Sequence, residues 1–281
     1  MRVLAEEEIS STVTQLAGRA SLDLPADVED GLRSALEAES QPRARFALEM
    51  IIENARIARE KNLPLCQDTG FFHLFVSLGN ATALPARFQA AADTGIKVAT
   101  EKYYLRSSII SDPLSVRPDR GDNSPLLVHI DQCDLDSAAR FTVLAKGGGS
   151  ENTTGLHMLL PGEGSAGLKK AVLETVLAKG AWACPPLVVS IGVGADAAGC
   201  LELALKGLLR PLGERSERNH LADLEEDLLS QINATGIGAS GLGGDITALD
   251  VHIEEAPTHI ACLPVGIILC CHALRRASLE V

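Results

Sequence analysis

The 281-residue chain has few aromatic residues, a shortage of positive charge and no long apolar run. Aromatics make up 3% of it, which removes the stacking platforms that single-strand nucleic-acid binders use. Twenty-five Lys and Arg stand against 37 Asp and Glu, a net charge of −12 spread along the chain. Phosphate backbones are gripped by clustered cations, so a nucleic acid is not expected as a partner. A few placed arginines suffice for a small anionic metabolite. The apolar stretch ACLPVGIILCC (261–271) falls short of a membrane-spanning helix and contains a proline. The start, MRVLAEEEIS, is acidic where a secretory leader is basic, which predicts a cytoplasmic protein.

Local metal and disulfide signatures are missing too. Seven cysteines, an odd number and widely scattered, argue against a disulfide framework and for reduced thiols. There is no CxxC, HxxxH or HExxH, so a metal site would have to be assembled from distant segments. Taken singly, each cysteine reads as a small core residue.

What is present is a chain 46% hydrophobic, able to bury a sizeable core as one large or two small domains. Helical periodicity predicts helices over 4–18, 27–38, 43–61, 84–104, 165–180, a stretch stopped by Pro211, and 215–233. Apolar runs predict strands over 71–79, 126–132, 139–146, 185–194 and ITALDVHIE, followed by a final apolar segment. Between them lies an irregular polar stretch, 106–125, of a length that compact domains reserve for function or disorder. Helices and strands mix without strict alternation and without repeats. The expected fold class is therefore α+β (mixed α/β), a mixed sheet flanked by helices.

Several motifs could carry chemistry. KGGGSEN (146–152) reverses the lysine and glycine order of a phosphate-binding P-loop. GVGADA (192–197) follows a strand and precedes a helix, as a dinucleotide fingerprint does, but lacks the second strand ending in an acidic residue. A tight strand-to-helix turn is the simpler reading, and a metal-free nucleotide-binding or scaffolding module is the alternative function it would carry. In PLCQDTG (64–70) a proline and a glycine hold Cys66, Gln67 and Asp68 out of helix. Taken locally, Asp68 is a turn residue and Gln67 a backbone-bonding one. His259 and His272 lie in apolar surroundings, where core histidines are common, and Arg106 reads as a surface charge.

Jointly, these segments carry a resemblance. LPLCQDTG, GDNSPLLVHI, AKGGGSEN, ACPPLVVSIGVG with ALKGLLRPLG, GASGLGG and THIACLPVGIILCCHALRR occur in the order found in the iron–sulfur hydro-lyases of the class I fumarase and tartrate dehydratase family. The chain resembles their alpha subunit, or N-terminal domain, along nearly its whole length, as one domain over 1–281 with room for two lobes. The one departure is Ala195, where the family pattern has a second glycine.

The resemblance implies a 4Fe-4S cluster held by Cys66, Cys184 and Cys271, with Cys270 as the alternative third ligand. It further implies that Gln67, Asp68, Arg106, Gly149 and His259 bind substrate, with Asp68 and His259 catalytic. The implied reaction adds or removes water on a C4 dicarboxylate, fumarate and malate first, or tartrate to oxaloacetate. No residue here suggests itself as the base for the carbon-bound proton. By resemblance that group comes from a separate beta subunit, in an alpha2-beta2 assembly.

Overall fold

The computed structural model describes residues 2–133 and 138–281. In chain order the elements are β1 (Arg2–Val3), α1 (Glu6–Leu22), α2 (Ala26–Ala38), α3 (Pro42–Lys61), β2 (Phe71–Leu78), β3 (Thr82–Ala83), α4 (Phe88–Lys102), β4 (Leu127–Gln132) and β5 (Ala139–Lys146). There follow α5 (Gly148–Thr153), β6 (Gly155–Leu159), α6 (Gly164–Lys179), β7 (Leu187–Ala195), α7 (Ala197–Gly207), α8 (Asn219–Asn233), β8 (Ala248–Thr258), β9 (Leu263–Cys270) and β10 (Arg275–Glu280). The fold is α+β, as expected. Two compact units divide the chain: Met1–Pro25, Asn54–Gly148 and Arg275–Val281 form the first, Ala26–Glu53 and Gly149–Leu274 the second.

The first unit is built on a four-stranded sheet, β10-β5-β2-β4, antiparallel except for the parallel pair β2 and β4. Alternate residues Phe72, Leu74 and Val76 of β2 and Phe141, Val143 and Ala145 of β5 point to one face, following the two-residue period of a strand. That face packs against Ile9, Val13, Leu16, Ala17 and Ala20 of α1 and Ala92, Ile96 and Ala99 of α4. α1 carries Glu6, Glu7 and Glu8 in its first turn and Arg19 in its last, which complements the helix dipole.

The second unit repeats the scheme with a sheet ordered β6-β9-β7-β8, in which only β7 and β8 run parallel. Leu168, Val172 and Val176 of α6 and Leu221, Leu228 and Ile232 of α8 cover one face. The other face receives α7 at very short range. A side chain on Gly192 would overlap the Cys200 carbonyl oxygen of α7, so glycine is required for the helix to lie that close.

Expected boundaries move in places. The 84–104 helix starts only at Phe88, after the two-residue strand β3, and the helix stopped by Pro211 ends earlier, at Gly207. The glycine-rich 146–152 stretch winds into the short helix α5, and β6 follows it unforeseen. The final apolar segment resolves into β9 and β10, which belong to different sheets.

Candidate active site

In the first unit PLCQDTG links α3 to β2 and is pinned at Leu65. Leu65 donates its N–H to the Ser21 carbonyl at 2.9 Å, and Asn54 Nδ2 donates to the Leu65 carbonyl at 2.9 Å. The Asp68 N–H points at Cys66 Sγ, 3.4 Å away. Asp68 is itself clamped: Oδ1 accepts from the Gly70 N–H at 3.0 Å and Oδ2 from the Gly148 N–H at 2.7 Å. This fixes the carboxylate plane and leaves further lone pairs for another donor. Gly70 has φ +77°, and a side chain there would overlap the Lys146 carbonyl oxygen. Glycine is thus what lets the QDTG turn touch the end of β5.

Arg106 is drawn to the same place by its backbone. Its carbonyl accepts from Thr69 Oγ1 at 2.6 Å and from Asn123 Nδ2 at 3.1 Å, while the guanidinium side is exposed. Asn123, buried in the GDNSP motif, also accepts the Ser108 N–H at 2.7 Å, so it staples the LRSS segment from within. Arg275, 2% exposed, donates from Nη2 to the Thr69 carbonyl at 3.4 Å. The point a Cβ on Gly147 would take lies 3.1 Å from Asp68 Oδ2 and 3.8 Å from Arg275 Nη2, so a buried cation stands near the carboxylate. Thr69, Asn123 and Arg275 were missed as individuals. Their motifs stood out, but nothing local assigns such residues a scaffold role.

In the second unit Cys184 follows a 3₁₀ turn, Gly180–Ala183, and adopts the left-handed region at φ 57° with its residue exposed. Its carbonyl accepts from the His272 N–H at 3.2 Å and from His272 Nδ1 at 3.0 Å, which ties it to the residue after Cys271. His272 is half-exposed, which corrects the core-histidine reading. Cys270 ends β9 opposite Val188 and is 2% exposed, whereas Cys271 lies beyond the strand and is half-buried. The choice between them thus falls on strand end and reach. Gly149 sits near the same turn, the point of its absent Cβ lying 3.5 Å from the Trp182 carbonyl oxygen.

His259 occupies the exposed β8–β9 connection, apart from the bonds that join Cys184 to His272. Its Nδ1 accepts the Ala261 N–H at 3.1 Å, so the neutral ring carries its hydrogen on Nε2 and presents a donor there. Of the remaining cysteines, Cys200 is fully buried, and burial pushes its thiol above the ordinary value, as suits a core residue.

Among the described residues no group of three or more His, Cys, Asp or Glu side chains is gathered for a metal ion. The donor chemistry within each unit nevertheless suits an iron–sulfur centre. Cys66 has an N–H aimed at its sulfur, and Cys184 is exposed and Cys271 half-buried, whereas Cys200 and Cys270 are buried. The GVGADA turn, by contrast, is filled by the chain's own carboxylate: Asp196 accepts from Ala198 N at 3.1 Å and Gly199 N at 2.7 Å at the start of α7. A phosphate would have to displace it. A cavity of 680 Å³ between α1 and α4 is lined by none of the predicted site residues.

The model of the fumarate hydratase (Fumerase) family matches residues 10–280, and the chain belongs to that family. A protein of Methanocaldococcus jannaschii, provisionally named as an L(+)-tartrate dehydratase subunit alpha, is 44% identical over 277 residues, 96% of each chain. The L(+)-tartrate dehydratase subunit alpha of Escherichia coli K12 is 30% identical over 279 residues, covering 99% of this chain and 92% of its own. No helix among the described residues is long and apolar enough to cross a membrane.

Proposed function

We propose that this chain is the alpha subunit of an iron–sulfur hydro-lyase that removes water from a C4 hydroxy-dicarboxylate in the cytoplasm, completed by a separate beta subunit in an alpha2-beta2 assembly. L(+)-tartrate, giving oxaloacetate, is the favoured substrate because the relatives' names point to it. The fumarate and malate pair is the other. The observation that carries the reading is the clamped Asp68 carboxylate, two residues from Cys66 and next in sequence to Thr69, whose hydroxyl holds the Arg106 carbonyl, in a chain of this family.

Cys66, Cys184 and Cys271 would hold a 4Fe-4S cluster. When bound, it supplies a Lewis-acidic iron that polarises the substrate hydroxyl. Arg106 gives charge-assisted donors to a substrate carboxylate, and the Gly149 N–H, unshielded by a side chain, is a further donor. Gln67, exposed beside Cys66, supplies a further neutral donor. Asp68 hands a proton to the departing hydroxyl and takes one from water in the reverse direction. Its two backbone N–H bonds keep its orientation constant through both steps. The base for the carbon-bound proton belongs to the partner chain.

The test is co-expression with the beta subunit, anaerobic reconstitution with iron and sulfide, and assay on both tartrates, fumarate and malate. A brown complex with broad visible absorbance and dehydration of L(+)-tartrate supports the reading. A colourless chain, or full activity without a partner, overturns it.

A further inference from the structure

We infer that His272 is a positioning residue whose ring N–H holds Cys184 in the backbone conformation that aims its thiolate at the iron–sulfur cluster. The inference rests on the proposed role of Cys184 and Cys271. A carbonyl oxygen only accepts, so the 3.0 Å contact from Nδ1 to the Cys184 carbonyl requires a hydrogen on Nδ1 and fixes the tautomer of the neutral ring. The backbone N–H of the same residue donates to the same oxygen at 3.2 Å. One residue thus spans two segments far apart in sequence, immediately after one proposed ligand and onto the peptide of another.

Cys184 needs such a hold. Its φ of 57° is unfavourable for a side chain with a Cβ and persists only where the surroundings enforce it. The two residues that follow, Pro185 and Pro186, have no N–H, so the β7 segment makes no backbone donation until Leu187 bonds the Thr247 carbonyl at 2.8 Å. The Cys184 carbonyl, held by His272, is thus a handle on this peptide, beside the Pro185 carbonyl, which accepts the Ser240 N–H at 2.8 Å. If it turns, the Sγ direction turns with it.

Asparagine and glutamine separate this role from bulk. The Asn amide nitrogen can stand where Nδ1 stands, whereas the Gln amide reaches one methylene further. The measurement is iron and acid-labile sulfide retained by the reconstituted complex during incubation with a chelator, for wild type, H272N, H272Q and H272A. Thermal unfolding of the cluster-free chains serves as control. H272A and H272Q are expected to lose iron about fivefold faster than wild type, the effect of one missing hydrogen bond, and H272N to stay within twofold. Equal retention in all variants, or loss in H272N matching that in H272Q, overturns the inference. If H272A fails to fold, the Asn and Gln pair still decides. A wild-type complex that takes up no cluster refutes the reading beneath it, and this result is distinct because it appears before any substitution is made.

Discussion

Replacing His73 with phenylalanine or glutamine should remove a steep acid sensitivity from the protein. His73 lies on β2, 5% exposed, with Nδ1 3.1 Å from His129 Nε2 and its ring stacked on that of His129 at 5.4 Å. Its Nε2 is buried with no hydrogen-bond partner among the described residues, so an imidazolium, which carries a hydrogen on both ring nitrogens, would leave an N–H that neither water nor protein can solvate. Burial first, then the neighbouring His129 and Lys146, hold His73 down from 6.5 to about 3. Below pH 6.5 the unfolded chain therefore binds a proton that the native one refuses. The stability contributed is complete above that pH and drains away as pH falls toward about 3. The slope reaches about 1.4 kcal/mol per pH unit, or about 2 kcal/mol between pH 7.5 and pH 5. Urea midpoints at those two pH values measure it. The wild type should lose about 2 kcal/mol more than either variant. Equal losses in all three chains would refute the argument.

Asp68→Asn should lower the activity of the complex by about a hundredfold or more, because an amide cannot shuttle the proton. It should cost about 1 kcal/mol of stability, since the amide oxygen can accept only one of the two N–H bonds, yet leave cluster content unchanged. Gly192→Ala should destabilise by about 3 kcal/mol or prevent folding, because the new methyl would overlap α7 backbone that cannot step aside, and chemical denaturation reads this directly. Asp250 is raised by burial but held lower overall, at about 2, by His252, the Gly213 N–H and Arg215. Its contribution is present above its ordinary 3.8 and lost as pH falls toward about 2, so Asp250→Asn should flatten the stability profile in that window.

How much of this was legible beforehand differs between elements. Helix α3 declared itself because its apolar residues recur at helical spacing and Pro64 forbids continuation past its end. The core face of β2 was equally plain as an apolar run. β6 was hidden, since GLHML after a glycine-rich stretch offers too few residues for periodicity to speak. Motif alignment alone prefers Cys271 over Cys270, because by periodicity adjacent residues differ only in which side of a strand end they fall on.

The sequence by itself determined most of the element types, the residue chemistry and the family, because periodicity, breakers and motif order are local properties of a chain. Only the tertiary structure decided which strands pair, why β9 and β10 join different sheets four residues apart, and which carbonyls Thr69, Asn123, His272 and Arg275 hold. Those are contacts between residues distant along the chain. Their energies depend on register and close approach, and no local pattern records either.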